Sequence, residues 1–447
     1  MPSSLDHAKT AVSGHLALWA AFLLVHLWLG QLNLHGPGWP LGDVEGVYKF
    51  WVERFLVTGT IVGIDSAWVY PIVAFVPMLL SYVLGGAVYS ATWISMVTIL
   101  NAVALGTLTG WGRSRLTIAA GWWWVAYLLA LGPIALGRID SITVPIAIVG
   151  LVILGRHPRA AGVVLALATW MKVWPAALIA AIVVASRQRW QVVAGVGLAT
   201  AGVVLVSLLL GAGPNLLSFI TQQSSRGLQV EAPVSTPFLW MTAAGAPGSS
   251  VYYAEDILTF QVSGQGTEVA AAVMTPLLAI VALAIAGLGV LAVRRGVSTT
   301  RLLAPLALAL VAAFIVVNKV GSPQFESWIA APVALGIVLA GRGGPSFRVP
   351  AALTIVIGAL TQLIYPALYG YLISVNPAML VAITCRNLLL IALLAWAVTE
   401  VVRLARSSTV ADVESDLDAQ VGGAYADSAY DDNADEHGPR AWPLARD

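Results

Sequence analysis

The sequence predicts an all-α polytopic membrane protein with about 12 transmembrane helices, and three observations lead there. Of 447 residues, 59% are apolar and only 10% charged, with a mean hydropathy of +0.85. A soluble domain is about a quarter charged. Apolar stretches of roughly 20 residues recur, the length a helix needs to cross a bilayer. Arginines gather in the short loops between them, as cytoplasmic loops do. Together these exclude a soluble enzyme, a nucleic-acid binder and a disulfide scaffold. A transmembrane β-barrel would instead alternate in polarity along each strand. The single cysteine, Cys385, provides no thiol framework or zinc cluster.

The apolar stretches run about 15–32, 71–86, 88–110, 116–136, 141–155, 159–170, 173–186, 191–211, 269–293, 301–317, 325–341, 350–373 and 378–402. The first lacks a small-residue cleavage site and reads as a retained span. The arginine-bearing loops are Arg113/Arg115, Arg156/Arg159, Arg187/Arg189, Arg294/Arg295/Arg301, Arg342/Arg348 and Arg403/Arg406. Two spans separate each neighbouring pair, so all of these loops can share the cytoplasmic side. The polar, irregular segments then face outward. They are the Arg138–Asp140 turn, the Lys172 turn, the 212–268 loop, the Asn318–Gln324 turn and the Asn376 turn. Pro71 and Pro77 break the second stretch. Reading 71–110 as one crossing plus a re-entrant or interfacial piece puts the 33–70 loop outside as well, with both termini in the cytoplasm.

Residues 1–406 form the membrane domain and carry a formal charge of +9, against −8 for residues 407–447. That tail is rich in Ser, Ala, Gly and Asp and reads as a disordered cytoplasmic segment. Arginine outnumbers lysine 19 to 4 and alanine and valine abound, a composition that points to a GC-rich genome, as in actinobacteria.

The candidate chemistry lies in the outer segments. In the first loop, Gly and Pro break regular structure up to Gly42. From Asp43 the pattern suits an amphipathic surface helix with Val47, Phe50 and Trp51 on one face. Asp43 at its start is either an N-cap or a carboxylate at the water boundary, available as a general base. Glu45 completes a D-x-E pair that can hold a divalent cation. Of the four lysines, Lys49, Lys172 and Lys319 fall in outer segments beside apolar spans, although the chain otherwise prefers arginine. With Arg226 and Arg386 near the same face, they suit an anion such as phosphate. The simpler alternative is snorkelling toward lipid headgroups.

Lys172 interrupts a hairpin whose arms are too short to cross fully. Arg138 and Asp140 form a second polar turn, a local ion pair on the simplest reading. Lys319, Ser322, Gln324 and Glu326 cluster around a Gly-Ser-Pro break. The large outer loop, with Arg226, Gln229 and Glu231, is dense in hydrogen-bonding side chains, which suits a polyhydroxylated ligand. Of 17 tryptophans, most are belt or core residues, while Trp51, Trp68 or Trp240 can stack on a sugar face. There is no P-loop, G-x-G-x-x-G, H-E-x-x-H or G-x-S-x-G motif.

These motifs, in this order, resemble glycosyltransferase family 87, polyprenyl-phosphate-sugar-dependent enzymes of the GT-C fold. The first outer loop is similar to G-D-x-x-x-Y-x-x-W and Y-P-P through Gly42, Asp43, Tyr48, Trp51, Tyr70 and Pro71, with Ile72 for the second proline. G-Q-I-D is matched by Gly137 to Asp140, with Arg138 for Gln. K-x-x-P is matched by Lys172 and Pro175, and R-G-L-Q-x-E by Arg226 to Glu231. N-K-x-x-S-P-Q-Y is matched by Asn318, Lys319, Ser322, Pro323 and Gln324, with Phe325 for Tyr. The resemblance spans residues 42 to 325.

It implies a GT-C helical bundle with extracytoplasmic loops and a cell-membrane location. It also implies inverting transfer of a sugar, mannose or arabinofuranose, from a polyprenyl-phosphate donor to a glycolipid or glycan acceptor. Asp43 would be the base and Glu45 the second acid. Lys49, Lys172, Lys319 and Arg226 would hold the donor phosphate. Tyr48, Trp51, Tyr70, Arg138, Asp140, Gln229, Glu231, Ser322 and Gln324 would contact sugar or acceptor. Some mannosyltransferase branches carry a histidine pair near the S-P motif; this sequence has Gln324 and Glu326 there. A lipid or solute transporter would instead show internal repeats and coupling acids at mid-membrane. A non-catalytic scaffold or flippase subunit would tolerate loss of the Asp43 carboxylate.

Overall fold

The computed structural model describes residues 4–112, 117–224, 226–255 and 257–407. The Arg113/Arg115 loop and nearly all of the acidic tail lie outside the described residues. Among the described residues, eight helices are long and apolar enough to cross a membrane: Gly14–His35, Gly86–Leu108, Ile118–Ala135, Arg189–Leu209, Thr267–Arg294, Thr299–Val316, Pro323–Ala340 and Pro377–Ser407. Four shorter apolar helices lie among them: Asp140–Ile153, Pro158–Thr169, Ala176–Ala185 and Arg348–Ile364. The chain is a helical polytopic membrane protein. The 71–86 stretch makes only a 3-10 turn, Ile72–Ala74, and a six-residue helix, Phe75–Leu80, too short to cross.

Sequence composition sorts the helices into inner and outer positions. Thr299–Val316 is apolar all round and buries every residue from Leu302 to Ala313. A helix without a polar face belongs in the middle of a bundle. It packs against Ala176–Ala185, Thr267–Arg294, Ala330–Ala340 and Pro377–Ser407. Arg189–Leu209 and Thr267–Arg294 are equally apolar but largely exposed on the surface of the chain, where lipid rather than water is the matching solvent.

Between helices the hydrophobic effect is weak in lipid, so close approach of backbones matters more. Pro158–Thr169 and Arg189–Leu209 cross at two glycines. A Cβ on Gly162 would lie 2.3 Å from the Val192 carbonyl oxygen, and one on Gly195 would lie 2.1 Å from that of Arg159. No side chain larger than hydrogen fits either position without moving a backbone.

The loops segregate to two ends. At one, Arg295 Nη1 donates to the Ala405 carbonyl and Thr299 Oγ1 to that of Ala185, so the arginine-bearing turns near 187, 295 and 405 lie together. At the other, the Trp68 amide donates to Ser218 Oγ (2.8 Å) and Asn215 Nδ2 to the Ile64 carbonyl (2.9 Å). The Gln229 amide donates there to the Lys319 carbonyl at 3.0 Å. These bonds stitch the 33–70 loop, the large loop and the 318–324 turn into one cap.

Two expectations are corrected in that cap. The large loop is not a loose polar segment. It includes a three-stranded antiparallel sheet, order β1 (Leu228–Gln229), β3 (Thr259–Ser263), β2 (Ser250–Ala254). Val230, Leu239 and Val262 of this loop pack against Ile364, Leu372, Leu380 and Ile383 in a small apolar core of their own. In the first loop, Asp43–Tyr48 makes a π-helical turn that continues into the helix Lys49–Thr58. Its buried face is Val44, Tyr48 and Val52, while Phe50 points outward. The wider π turn rotates the register relative to an α-helical reading.

Replacing Gly195 by Val should lower the midpoint of thermal unfolding in detergent, with a cost of about 1–3 kcal/mol from overpacking. Gly197→Ala and Gly202→Ala, on the same helix with nothing within 4 Å of the added Cβ, should leave it unchanged.

Candidate active site

At the end opposite the arginine-bearing turns, the apolar helices stop and charged groups converge. Arg138 follows Gly137 in the turn before the helix Asp140–Ile153 and is almost wholly buried. Its Nε lies 3.1 Å from Asp43 Oδ2. Its Nη1 donates to the Pro40 and Gly137 carbonyls, both at 2.8 Å, and its Nη2 to the Tyr365 hydroxyl. The Tyr365 ring also lies under the guanidinium, 5.5 Å away. Burial works against the Arg138 charge, but Asp43 and the facing phenol oxygens of Tyr365, Tyr48 and Tyr70 more than offset it, and its pKa is raised. Asp43 is the accessible end of this pair, with 37% of its side chain exposed.

Two residues on, Asp140 opens its helix with a fully buried carboxylate. Oδ1 accepts from the Trp328 indole at 2.6 Å, and Oδ2 faces Lys172 Nζ at 3.5 Å. Lys172 in turn lies over the Tyr70 ring (4.8 Å) and the Phe325 ring (5.5 Å). Cation–π contact and a buried counter-charge hold the ammonium group at the site. Trp328 stacks flat on Trp174, which donates to Thr143 in the same helix. The charged centre thus rests on rigid aromatic supports.

Tyrosines join the Asp43 and Lys172 groups. The Tyr48 hydroxyl accepts the Ile139 amide at 3.3 Å and bonds to Tyr70. The Tyr70 hydroxyl is pushed up first by burial, pulled down by Lys172 and raised again by Asp43. Both charged groups therefore reach the same phenol. Trp51 and Trp68 pack edge-to-face on Tyr70 and complete an aromatic wall.

A second ion cluster adjoins the first. Arg386 Nη1 binds Glu231 Oε2 at 2.6 Å, its Nη2 donates to the Glu231 carbonyl at 2.7 Å, and its Nε faces Glu326 Oε1 at 3.5 Å. All three side chains are buried. Burial raises the Glu231 carboxyl above its ordinary value, and Arg386, Arg138 and Tyr369 pull the other way. Gln229, buried in β1, ties this cluster to the 318–324 turn. Its Oε1 accepts the Gly321 amide at 3.2 Å and its backbone amide donates to the Lys319 carbonyl. Gly321 is required there, since a Cβ would sit 2.2 Å from the Ala232 nitrogen. Lys319 is buried, and desolvation lowers its pKa below that of a free lysine.

The structure thus gathers Asp43, Tyr48, Trp51, Tyr70, Arg138, Asp140, Lys172, Gln229, Glu231 and Lys319 into one cap, with Ser322 and Gln324 in the turn after Lys319. Arg226 precedes β1 at its edge. Glu45 and Lys49 have other partners. Glu45 accepts from the Trp39 indole and the Ser90 hydroxyl, both at 2.7 Å, and Lys49 pairs with Glu53 at 3.7 Å one turn along its own helix. Residues two apart on a helical turn face different sides. Asp43 and Glu45 accordingly do not converge as metal ligands, and no group of three His, Cys, Asp or Glu suited to a metal occurs among the described residues. Sequence reasoning passed over Tyr365, Tyr369 and Trp328, and did not foresee that Glu326 meets Arg386. Arg386 alone interrupts the apolar run 377–399, and an isolated charge in such a run implies a buried partner.

Replacing Arg386 by Met should destabilise the protein by about 3–5 kcal/mol, because two buried carboxylates lose their counter-charge. Adding Glu231→Gln to it should recover part of the loss, read as the thermal midpoint of the double variant against the single one.

Comparison with known proteins places residues 68–234 in a match to the family model Glycosyltransferase family 87. No curated protein and no solved structure matches the chain.

Proposed function

Residues 68–234 belong to glycosyltransferase family 87, of GT-C type, and from that membership we infer the reaction this membrane glycosyltransferase performs. It moves a sugar, mannose, from a polyprenyl-phosphate donor to a lipid-linked glycan acceptor on the extracytoplasmic side, with inversion. The polyprenyl tail lies among the spans, so the donor never leaves the bilayer. The arginine-bearing end is cytoplasmic and the charged cap faces outward. In this reading the 8 long and 4 shorter apolar helices make up the 12 membrane segments, the two short arms beside Lys172 reaching only part of the way across, with both termini in the cytoplasm.

One observation carries the assignment of Asp43 as base. Of the four carboxylates in the two clusters, Asp140, Glu231 and Glu326 are buried within ion pairs, and only Asp43 opens to solvent. A general base must reach the hydroxyl whose proton it takes. Asp43 Oδ1 accepts that proton as the acceptor oxygen attacks the anomeric carbon. The bond from that carbon to the phosphate oxygen breaks in the same displacement, through an oxocarbenium-like transition state. The leaving phosphate carries the negative charge, and Lys172, Lys319 and Arg226 stabilise it. Tyr70, Trp51 and Ser322 supply the stacking face and hydrogen bonds for sugar, while Gln229, buried in β1, holds the 318–324 turn. No step is routed through a metal ion, since the Asp43 and Glu45 carboxylates have separate partners.

Membranes containing the protein, given radiolabelled polyprenyl-phospho-mannose or polyprenyl-phospho-arabinofuranose, should label a glycolipid with the first. Labelling from the second alone makes the protein an arabinosyltransferase. Asp43→Asn should lower transfer about 10²–10⁴-fold, the usual range for loss of a general base, and full activity in that variant removes Asp43 from the role. Lys172→Gln and Lys319→Gln should each raise the KM for donor without unfolding the protein. The lowered pKa of Lys319 sets a pH dependence. Its charge is lost as pH rises, earlier than for a free lysine. Donor KM should therefore climb on the alkaline side, and Lys319→Arg should move that limb to higher pH.

A further inference from the structure

The geometry points to Arg138 as a positioning residue for the base rather than a ligand of sugar or acceptor, with Tyr365 as the group that fixes Arg138. This rests on the reading of Asp43 as the base. A guanidinium has five N–H donors. Here the Nε reaches Asp43, Nη1 bonds two backbone carbonyls, and Nη2 bonds Tyr365. Three hydrogen-bond acceptors and the Asp43 ion pair, on three separate segments, define the plane of the group, and burial leaves almost none of it open to a substrate. A side chain so committed has little left with which to recognise a sugar.

Its effect on Asp43 is directional. Its closest approach to Asp43 is from Nε to Oδ2. Among the described residues no hydrogen bond reaches Oδ1, so it is the oxygen that remains to take a proton. With one oxygen fixed, rotation of the carboxylate stops, and the basic lone pair of the other is aimed in a set direction. The carbonyls of Pro40 and Gly137 matter as well. Pro40 lies three residues before Asp43 on the same loop, so Arg138 grips both the loop that carries the base and the base itself. Tyr365 closes the arrangement from a third segment, by its hydroxyl and by its ring face.

A misplacement of about 1 Å in a reacting group can cost about 10²-fold in rate. Purified Arg138→Ala should therefore lose about 10²-fold in kcat, with the KM values for donor and acceptor unchanged. Guanidinium or methylguanidinium added to the assay should restore part of that kcat by filling the vacated space, and should do nothing for Asp43→Asn. Tyr365→Phe keeps the ring and removes the hydroxyl. It should lower kcat by a smaller factor, again without a change in KM, and it serves as the test if Arg138→Ala does not fold. A rise in acceptor KM at constant kcat in either variant would overturn the inference and return Arg138 to substrate binding. Full kcat in Arg138→Ala would also overturn it, while an inactive Asp43→Asn in the same assay would leave the base assignment standing. If Asp43→Asn keeps full activity, the base assignment fails first, and the positioning role fails with it.

Discussion

The cap depends on one constraint: a charge withdrawn from water must find its partner inside the protein. Arg138 meets it with three hydrogen-bond acceptors and the Asp43 ion pair, drawn from the 33–70 loop, its own turn and the end of the helix Arg348–Ile364. No apolar contact would hold these three segments at that separation, because apolar attraction has no direction. The guanidinium does, since its donors lie in one plane at fixed angles. The same logic repeats at Asp140, gripped by Trp328 and Lys172, and at Arg386, set between Glu231 and Glu326. Each buried charge joins segments that are remote in sequence, and the three together locate the loops over the bundle.

Such clusters contribute little net stability, because desolvation cancels much of the Coulomb gain. What they provide is a single arrangement. The apolar helices beneath could slide or rotate at small cost, since alanine, valine and leucine pack in many ways. Shifting a helix would break an ion pair that has no water to fall back on. The specificity of the cap and the fluidity of its apolar footing are therefore complementary, and the glycine contact between Pro158–Thr169 and Arg189–Leu209 plays the equivalent part lower in the bundle.

Much of this was legible in the sequence, and the reason is local. Asp43, Arg138 with Asp140, Lys172, Gln229 with Glu231, and Lys319 each stand out as polar residues at breaks in apolar runs, where a charge is costly without a use. The helical, polytopic character followed from run length, and the break at 71–86 from Pro71 and Pro77. What stayed hidden was pairing at long range. Trp328 meets Asp140 across 188 positions and Arg386 meets Glu231 across 155, and nothing in either neighbourhood names the other. Tyr365 and Tyr369 look like ordinary interfacial aromatics. Glu45 misled because a D-x-E spacing reads as a pair only in extended backbone. The sheet in the large loop was masked by Ser, Gln and Gly, although Val251, Phe260 and Val262 carry enough apolar surface to close it against Ile364 and Ile383.

The asymmetry among the carboxylates also bears on the proposal of Asp43 as base. A buried acid that takes a proton leaves its cationic partner uncompensated, and Asp140, Glu231 and Glu326 are closed off from solvent as well. Asp43 escapes this because its partner has other acceptors. If Asp43 is protonated during turnover, Arg138 keeps Pro40, Gly137 and Tyr365, and the guanidinium is not stranded. A base paired to a cation that depended on it alone would resist protonation and would disrupt its surroundings once protonated. Distributing Arg138 over four partners removes both difficulties, and it allows the proposed base to change charge repeatedly without stranding the guanidinium beside it.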